Sequence, residues 1–320
     1  MDGQYKDSAH LDDELISVAM CTYNGEKYLA EQLDSILGQS YRNLEIIIVD
    51  DCSTDNTVKL LTDYAGRDSR ICVLQNQLNL GFVRNFEKAI NACSGELVAL
   101  ADQDDIWFPD KLRCLSEEIG DNWLIYSKVA VVDANGVEQN ETFPRVNRLE
   151  GQCALSLIMN NCVTGHACLM RRELLQVAMP FISDMPYHDQ WLAIVAASRG
   201  KLKAGDEVLS YYRKHSSNAV MRSKTKRNIS KREHVVSKFK AVSEFVEKVL
   251  KSGILNRSEQ YLLEEFSEKY IKNERVFYNF ELKHFLLKHS DAFLGLFGGR
   301  KRYIQKVCRG KWYFILLPFS

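Results

Sequence analysis

Residues 16–57 read ISVAMCTYNGEKYLAEQLDSILGQSYRNLEIIIVDDCSTDNT, and this stretch indicates the fold class. Two largely apolar runs, Leu15–Cys21 and Leu44–Val49, predict buried strands, and the apolar residues between them recur at helical spacing. Ile71–Leu74 and Glu96–Ala101 repeat the strand pattern, again with helical segments between them. Because buried strands that alternate with helices form parallel sheets, we predict an α/β protein with a doubly wound, mostly parallel sheet.

A polar segment follows each of these predicted strands. In such sheets the ligand lies beyond the carboxyl ends of the strands, so these segments are where we expect a site. They are Thr22–Gly25, Asp50–Asn56, Asn76–Gly81 and Asp102–Asp105.

The second half of the chain is mixed and then helical. Strands are predicted at Trp123–Asp133, Gly165–Met170 and Leu202–Arg213, with a hairpin turn at Asn135-Gly136 and a buried helix at His188–Ser198. After about residue 220 the chain is predicted to be helical and charged.

Composition narrows the class of protein. The formal net charge is zero, which gives no reason to expect a nucleic-acid partner. The nine cysteines have no C-x-x-C spacing, which indicates reduced thiols in a cytosolic protein. The N-terminus has no apolar signal segment. The apolar stretch Trp312–Phe319 is far shorter than the roughly 20 residues of a spanning helix. We therefore expect a chain that does not cross a bilayer.

The strongest cluster of candidate site residues is Asp102-Gln103-Asp104-Asp105, directly after a predicted strand. Three carboxylates within four positions repel one another unless a cation lies between them. Mn²⁺ or Mg²⁺ prefers such oxygen ligands and also bridges phosphate oxygens. The alternative is an acidic segment at the N-terminus of a helix predicted at Pro109–Glu118.

A second cluster surrounds Asp50 and Asp51. Ser53 or Thr54 is a plausible N-cap of the following helix, and Asp55 suits its first turn. Capping leaves the paired carboxylates unexplained, although a buried carboxylate there could accept hydrogen bonds from a base imide or a ribose hydroxyl.

A third cluster, Thr22-Tyr23-Asn24-Gly25, follows the first strand. Its Asn-Gly pair allows a tight turn, and Tyr23 offers a face on which a base could stack. Taken alone, a plain turn is the favoured interpretation.

Together with NLGFVRNFEKAINACSGELVALADQDDIWFPDKL at 79–112, these motifs resemble the nucleotide-binding half of glycosyltransferase family 2, of GT-A-type fold. The likeness is dense over 15–115 and looser to about residue 220, through TGHACLM, YHDQW and LSYYRKHSSN. It is greatest to members that build bacterial surface polysaccharides, many of them rhamnosyltransferases.

This resemblance implies a GT-A-type sheet with a helical, basic C-terminal extension. It divides the chain into a flexible tail (1–14), a nucleotide-sugar-binding half (15–120), an acceptor-binding half (121–220) and a helical C-terminal region (221–320).

The resemblance also implies roles for individual residues. Nucleotide contacts are implied for Thr22, Tyr23, Asn24, Asp51, Arg84, Asn85 and Asp102. Asp102 and Asp104 match the DXD motif that holds Mn²⁺ or Mg²⁺, with Asp104 the more direct ligand, and His215 matches a position that completes the metal–diphosphate site. Arg213 would either face the phosphates or pair with an acidic side chain.

On the acceptor side, Asp189 matches the catalytic base of an inverting transfer, which takes the proton of the acceptor hydroxyl. The alternative for Asp189 is a helix N-terminal residue. His166 is expected to line the substrate pocket or to be a core histidine. Trp107 and Trp191 are expected to pack, with sugar stacking as the alternative.

The implied function is a single addition from dTDP-rhamnose or a UDP-hexose to a saccharide acceptor, in O-antigen, capsule or lipopolysaccharide core synthesis. The chain lacks the Gln-x-x-Arg-Trp of processive synthases and the G-x-G-x-x-G of dinucleotide-binding oxidoreductases. The alternatives are a sugar-nucleotide pyrophosphorylase and a catalytically inactive, membrane-bound assembly protein of the same fold.

Two basic segments, Met221–Lys240 and Arg300–Phe319, indicate contact with an anionic membrane, because the second also interleaves aromatic residues. We therefore expect a cytoplasmic protein on the inner face of the cytoplasmic membrane, with a lipid-linked acceptor. The alternative is an apolar C-terminus that packs on the domain. No base-reading motif accompanies the charge, so nucleic acid is not expected.

Overall fold

A computed structural model describes residues 14–183, 185–216, 218 and 231–309, without the side chains of 231–236, 238 and 274. All but the last residue of the predicted flexible tail therefore lies outside the described residues. Residues 221–230 and 310–320 of the two basic segments also lie outside them.

The described residues form one mixed sheet. Its strands are β1 (Ile16–Thr22), β2 (Leu44–Asp50), β3 (Ile71–Gln75), β4 (Leu97–Asp102), β5 (Ile106–Trp107), β6 (Leu124–Val132), β7 (Glu138–Phe143), β8 (Cys168–Arg171) and β9 (Leu202–Arg213). The order is β3-β2-β1-β4-β8-β6-β9-β5, and β7 pairs with β6. β1–β4, β6 and β9 run in one direction, and β5, β7 and β8 run the opposite way. The predicted α/β, mostly parallel sheet is confirmed.

Helices cover the sheet and build the C-terminal region. They are α1 (Leu29–Leu37), α2 (Thr57–Ala65), α3 (Phe82–Ala92), α4 (Lys111–Glu118), α5 (Ala154–Met159), α6 (Arg172–Ala178), α7 (His188–Ser198), α8 (Lys231–Ser252), α9 (Arg257–Ile271), α10 (Phe280–Lys288), α11 (Ser290–Phe293) and α12 (Arg300–Val307). The predicted helical character after residue 220 holds for the described part of that region.

Both faces of β1 are buried, which explains why five of its seven residues are apolar. Val18 packs in a cluster with Leu29 and Leu33 of α1. Ala19, the next residue, points to the opposite face and packs in a cluster with Phe86 of α3. Successive residues of a strand point to opposite faces, so a central strand covered by helices on both sides requires apolar residues throughout.

The strand predicted at Gly165–Met170 is wrong over its first three residues. Gly165–Ala167 form a 3₁₀ turn, and the strand runs over Cys168–Arg171. The His166 carbonyl accepts a hydrogen bond from the buried Lys111 ammonium instead of joining a ladder. The Lys111 side chain, 55 positions earlier in the chain, therefore occupies the backbone group that the predicted start of β8 would have used.

The described C-terminal helices share an apolar core with α5 and α7. Phe266 of α9 stacks on Phe293 of α11 with ring centroids 5.3 Å apart, and both side chains are fully buried. The Ser156 hydroxyl of α5 donates to the Ala292 carbonyl at 2.8 Å, and Ile304 of α12 belongs to the same core. For the described residues, this supports the alternative that the C-terminal region packs on the domain.

None of the helices in the described ranges combines the length and apolarity that a membrane span requires.

Candidate active site

Three of the polar segments meet at one edge of the sheet, because β2, β1 and β4 are neighbours. Thr22 at the end of β1 is aligned with Asp50 of β2, and Cys21 is aligned with Asp102 of β4. The Asp51 amide donates to the Thr22 carbonyl at 2.8 Å. Parallel strands therefore bring residues that are far apart in the chain to a single cleft.

Asp50 is fully buried and organises the loop before α2. Its Oδ1 accepts a hydrogen bond from the Thr22 hydroxyl at 2.9 Å, and its Oδ2 accepts one from the Ser53 amide at 2.9 Å. These bonds explain the carboxylate that capping left unexplained. Ser53 and Thr54 do not cap α2, because the N-cap position is Asn56 and makes no side-chain capping bond.

Asp51 is 3% exposed and binds the loop that leads into α3. Its Oδ1 accepts hydrogen bonds from the Leu80 amide and from Asn76 Nδ2, both at 2.8 Å, and its Oδ2 accepts one from the Gly81 amide at 2.9 Å. Gly81 has a φ of 80°, a conformation that glycine adopts without steric cost. Asp51 therefore fixes the loop at 76–81 against the end of β2.

Tyr23 and Asn24 are held by hydrogen bonds with neighbouring loops. The Tyr23 amide donates to Gln103 Oε1 at 2.8 Å, and Gln103 Nε2 donates back to the Tyr23 carbonyl at 3.1 Å. The Thr54 amide donates to Asn24 Oδ1 at 2.8 Å, and Asn24 has the positive φ of the turn, 50°. The Tyr23 side chain stays 39% exposed. A pocket of about 160 Å³ opens beside it, lined by Tyr23, Asn24, Gly25, Lys27, Tyr28, Gln103, Ala134, His215 and Ser216.

The two neighbours Arg84 and Asn85 have different surroundings. Asn85 is buried, accepts a hydrogen bond from Asn76 Nδ2 at 2.8 Å and so joins the network of Asp51. Arg84 lies at the surface, pairs with Glu87 and reaches the carbonyl of Phe181 at 3.4 Å. In this structure Asn85 supports the loop that Asp51 binds, and Arg84 contacts the segment before α7.

Asp104 lies against His215, which the end of β9 brings across the cleft. Asp104 Oδ2 is 2.7 Å from His215 Nε2 and 3.3 Å from Asn218 Nδ2. Burial raises the pKa of Asp104, and the hydrogen bond with His215 lowers it. Arg213 pairs with Glu31 at 2.6 Å and donates from Nε to the Asp104 carbonyl at 2.9 Å. In this structure Arg213 therefore pairs with an acidic side chain, Glu31, which was one of the two alternatives predicted for it.

Asp105 and His166 form a second, deeper cluster with Asp102. Asp105 Oδ2 is 2.8 Å from His166 Nδ1, and Asp102 Oδ2 is 3.8 Å from the same nitrogen. Among the described residues, neither Asp105 Oδ2 nor His166 Nδ1 has a hydrogen-bond partner of good geometry, although both are buried. One ligand atom from each of the three side chains lies within 4.8 Å of the others. This donor set suits a divalent cation that accepts both carboxylate and imidazole.

Asp189 lies in the first turn of α7, partly buried beside the 3₁₀ turn. Its Oδ1 accepts hydrogen bonds from the Gln190 amide at 2.6 Å and from Asn161 Nδ2 at 3.2 Å. Burial raises the pKa of Asp189 to about 6, against the lowering effect of the Gln190 and Gly165 amides. A carboxylate with this pKa is ionised at neutral pH and still basic enough to accept a proton.

Asp102 lies beside Asp105 and His166 and among further carboxylates. Partial removal from water, followed by the carboxylates of Asp105, Asp104 and Asp189, raises the pKa of Asp102 well above its usual value. The Asp102 side chain remains 43% exposed, so a ligand in the cleft reaches it. The site therefore concentrates negative charge that a bound cation would neutralise.

Trp107 and Trp191 are both 2% exposed. The Lys111 ammonium lies 3.5 Å from the centre of the Trp107 ring, and Trp191 Nε1 donates to the Ala178 carbonyl at 2.9 Å. Neither ring presents an open face to a sugar in this structure.

Several residues of the site carry no signal in the sequence. Asn161 holds the Asp189 carboxylate, Gln103 holds Tyr23, and Glu31 neutralises Arg213. Asp105 stood within the acidic run, but its partner His166 is 61 positions away along the chain. Only the pairing of these elements in the fold identifies such contacts.

The fold is of GT-A type. A Staphylococcus aureus structure, TarS 1–349 in complex with UDP-GlcNAc, superposes with a TM-score of 0.57 at 20% identity, covering 88% of this chain and 73% of that one. The mannosyltransferase PcManGT of Pyrobaculum calidifontis, in complex with GDP-Man and Mn²⁺, superposes with a TM-score of 0.51 at 16% identity, covering 96% and 88%.

The sequence of the chain matches the family model "Glycosyl transferase family 2" over residues 17–177, just over half of its length. The chain therefore belongs to glycosyl transferase family 2. It is 30% identical over 191 residues to the Escherichia coli "UDP-Glc:alpha-D-GlcNAc-diphosphoundecaprenol beta-1,3-glucosyltransferase WfgD", covering 58% of this chain and 71% of the relative. Two other relatives at 30% identity are covered over 66% of their length, about two thirds.

Proposed function

We propose that this chain is an inverting, metal-dependent glycosyltransferase that moves one sugar from a nucleoside-diphosphate sugar to a saccharide acceptor. The observation that carries the proposal is the position of Asp189 beside Gly165 in a family 2 fold, since the next residue, His166, has its ring nitrogen 3.8 Å from the Asp102 carboxylate. A base and an acidic, cation-binding edge in one cleft are what such a transfer requires.

In the proposed reaction, Asp189 accepts the proton of the acceptor hydroxyl. The acceptor oxygen forms its bond to the anomeric carbon while the bond from that carbon to the nucleoside diphosphate breaks, which inverts the configuration. The raised pKa of Asp189, about 6, keeps the group both ionised and basic near neutral pH. Tyr23 and the loop that Asp51 orders form the nucleotide side of the cleft.

Asp102, Asp104 and His215 are the residues we propose for holding Mn²⁺ or Mg²⁺. Asp104 and His215 are already in contact, and Asp102 is partly exposed at the base of the cleft. A bound divalent cation would neutralise the charge that builds up on the departing diphosphate. The unpartnered atoms of Asp105 and His166 offer a second ligand set around the same Asp102.

We place the reaction in the synthesis of a bacterial surface polysaccharide such as O-antigen, capsule or lipopolysaccharide core. The similarity to WfgD, which is named for a UDP-glucose donor and a lipid-linked acceptor, supports this context. The donor is dTDP-rhamnose or a UDP-hexose, and the acceptor is lipid-linked. The enzyme then works in the cytoplasm, at the inner face of the cytoplasmic membrane.

Replacement of the proposed base tests the function. Asp189→Asn should keep the thermal stabilisation that UDP or dTDP gives in the presence of Mn²⁺, and should lower the release of nucleotide from the matching sugar donor by about 10²–10⁴-fold. At saturating Mn²⁺, the rate of the unmodified enzyme should fall as the pH is lowered through about 6, because Asp189 becomes protonated.

Asp63→Asn, at an exposed position of α2, is the matched control and should leave both measurements unchanged. A native rate in Asp189→Asn would remove this residue from the role of base. Failure of every nucleotide to stabilise the unmodified protein would remove the proposed function itself.

A further inference from the structure

Positive charge is concentrated in the last described part of the chain. Residues 271–309 contain nine lysines and arginines against three acidic residues, whereas the whole chain has a formal net charge of zero. Of the three acids, Glu281 pairs with Lys272 and Asp291 pairs with Arg300. The excess charge of this segment is therefore cationic.

Helix α12 presents its cations to solvent and its apolar residues to the protein. Lys301, Arg302 and Lys306 are exposed. Ile304 is buried in the core, and Tyr303 stacks on Phe297 with ring centroids 3.8 Å apart. In the described part of this segment, Tyr303 and Ile304 are thus packed against the protein, whereas Lys301, Arg302 and Lys306 face solvent.

Exposed apolar side chains lie beside this basic helix. On α10, Phe280 is 71% exposed and Leu287 is 46% exposed, and their spacing of seven residues places them on one face of the helix. Ile271, at the end of α9, is 51% exposed, and the Lys272–Glu281 ion pair joins that end of α9 to the start of α10.

Two hydrogen bonds fix α12 against this apolar region. Asn273 Nδ2 donates to the Val307 carbonyl at 3.0 Å, and the Asn279 amide donates to the Cys308 carbonyl at 2.9 Å. The end of α12, with Lys306, therefore lies next to the turn that begins α10. We call the exposed set the α10–α12 surface, which consists of Ile271, Arg275, Phe280, Leu287, Lys288, Lys301, Arg302 and Lys306.

We propose that the α10–α12 surface binds the headgroup region of an anionic lipid bilayer. Exposed cations attract anionic headgroups, and the apolar side chains among them insert at the boundary with the acyl chains. The charge of the segment matches this partner, and the chain continues from Arg309 into KWYFILLPF at 311–319, which extends the same basic and aromatic composition. The surface holds the enzyme at the plane in which a lipid-linked acceptor lies.

Vesicle binding of the full chain tests this surface. The protein should co-sediment with vesicles of phosphatidylcholine and phosphatidylglycerol and only weakly with phosphatidylcholine alone. The triple variant Lys301→Glu, Arg302→Glu, Lys306→Glu should weaken binding by about a hundredfold or more, because each basic side chain near such a membrane contributes roughly a factor of five. Phe280→Ser with Leu287→Ser should also weaken it.

The matched controls make the same number of charge reversals and apolar-to-serine substitutions at exposed positions outside the α10–α12 surface. Arg42→Glu, Lys59→Glu and Arg67→Glu reverse three exposed charges of the N-terminal half, and Leu78→Ser with Val137→Ser removes two exposed apolar side chains. Both controls should bind vesicles as the unmodified protein does.

Three results would overturn the proposal: equal binding by the charge-reversed protein and its control, equal binding to neutral and anionic vesicles, or a change of oligomeric state by light scattering with vesicle binding intact. A chain that ends at Arg309 should retain binding that depends on anionic lipid. If it lost all binding while the charge reversals had no effect, residues 310–320 would be the membrane contact instead. No donor is present, so these outcomes leave the proposed transfer reaction untouched.

Discussion

The aspartates at the edge of the sheet have different chemistry because their surroundings differ. Asp50 and Asp51 follow each other in the chain, and both are locked by hydrogen bonds from neighbouring loops. Asp102 is partly exposed among other carboxylates, and Asp189 is shielded beside two backbone amides. Asp102 and Asp189 both combine partial exposure with a raised pKa, as expected of groups that meet a ligand.

At the scale of the residue, the two candidate ligand sets can be distinguished by metal affinity. His215→Gln should weaken Mn²⁺ binding by about 10-fold or more, because the imidazole would be lost from the proposed set of Asp102, Asp104 and His215. His166→Gln is the matched variant and should bind Mn²⁺ nearly as the unmodified protein does. Electron paramagnetic resonance of free Mn²⁺ measures both affinities without donor or acceptor. The opposite order would assign the cation to Asp102, Asp105 and His166.

The parallel pairing of β1 with β4 requires close approach of the two backbones as well as apolar side chains. Gly95 lies just before β4, against the start of β1. Its amide donates to the Ser17 hydroxyl at 2.8 Å, and its carbonyl accepts from Arg172 Nε at 2.9 Å. A Cβ at Gly95 would lie 2.4 Å from the Leu15 carbonyl oxygen, so the two segments approach as closely as a glycine allows.

At the scale of the element, Gly95→Ala should therefore destabilise the protein. The new methyl group meets backbone atoms of Leu15 and Ser17 that cannot move without shifting β1, and such overpacking costs about 1–3 kcal/mol. Gly66→Ala is the control: its Cβ would be 3.5 Å from the nearest atom, and the change should be neutral or stabilise by up to about 1 kcal/mol. Urea unfolding of both variants checks this expectation, which equal stabilities would contradict.

The molecule as a whole is joined by a core that runs from the sheet into the C-terminal helices. One apolar cluster includes Ala19 of β1, Trp191 of α7, Phe266 of α9 and Ile304 of α12. Arg199, at the end of α7, also donates to the Ile254 carbonyl between α8 and α9. The described C-terminal helices are therefore an integral layer of the fold.

At the scale of the whole molecule, Phe266→Ala should shift a single unfolding transition. Loss of this fully buried ring costs about 3–5 kcal/mol. Because the core is continuous, far-ultraviolet circular dichroism and the fluorescence of the buried Trp107 and Trp191 should report the same midpoint. Tyr261→Ala, on the same helix but 65% exposed, should change stability by no more than about 0.5 kcal/mol. Two separate transitions in Phe266→Ala would mean that the C-terminal helices unfold as an independent unit.

The strands and helices of the first half could be predicted because their signal is local. β1 and β2 are largely apolar, and Asn135-Gly136 lies in the turn between β6 and β7. The limits of β8 could not be predicted, because the buried Lys111 takes the His166 carbonyl from a distant part of the chain. The capping role of Ser53 failed for a similar reason: its hydroxyl accepts a hydrogen bond from the Asn24 amide, and α2 begins only at Thr57.

What the sequence by itself determined is the class of fold and the identity of the polar residues at the carboxyl edge of the sheet. Hydrophobic periodicity and the acidic run after β4 are properties of neighbouring residues, and they can therefore be recognised in the sequence without a structure. What only the tertiary structure decided is which of those residues touch: Asp104 with His215, and Asp105 with His166. Such contacts depend on strand order and helix packing, because segments brought together from 60 or more positions apart leave no trace in local composition.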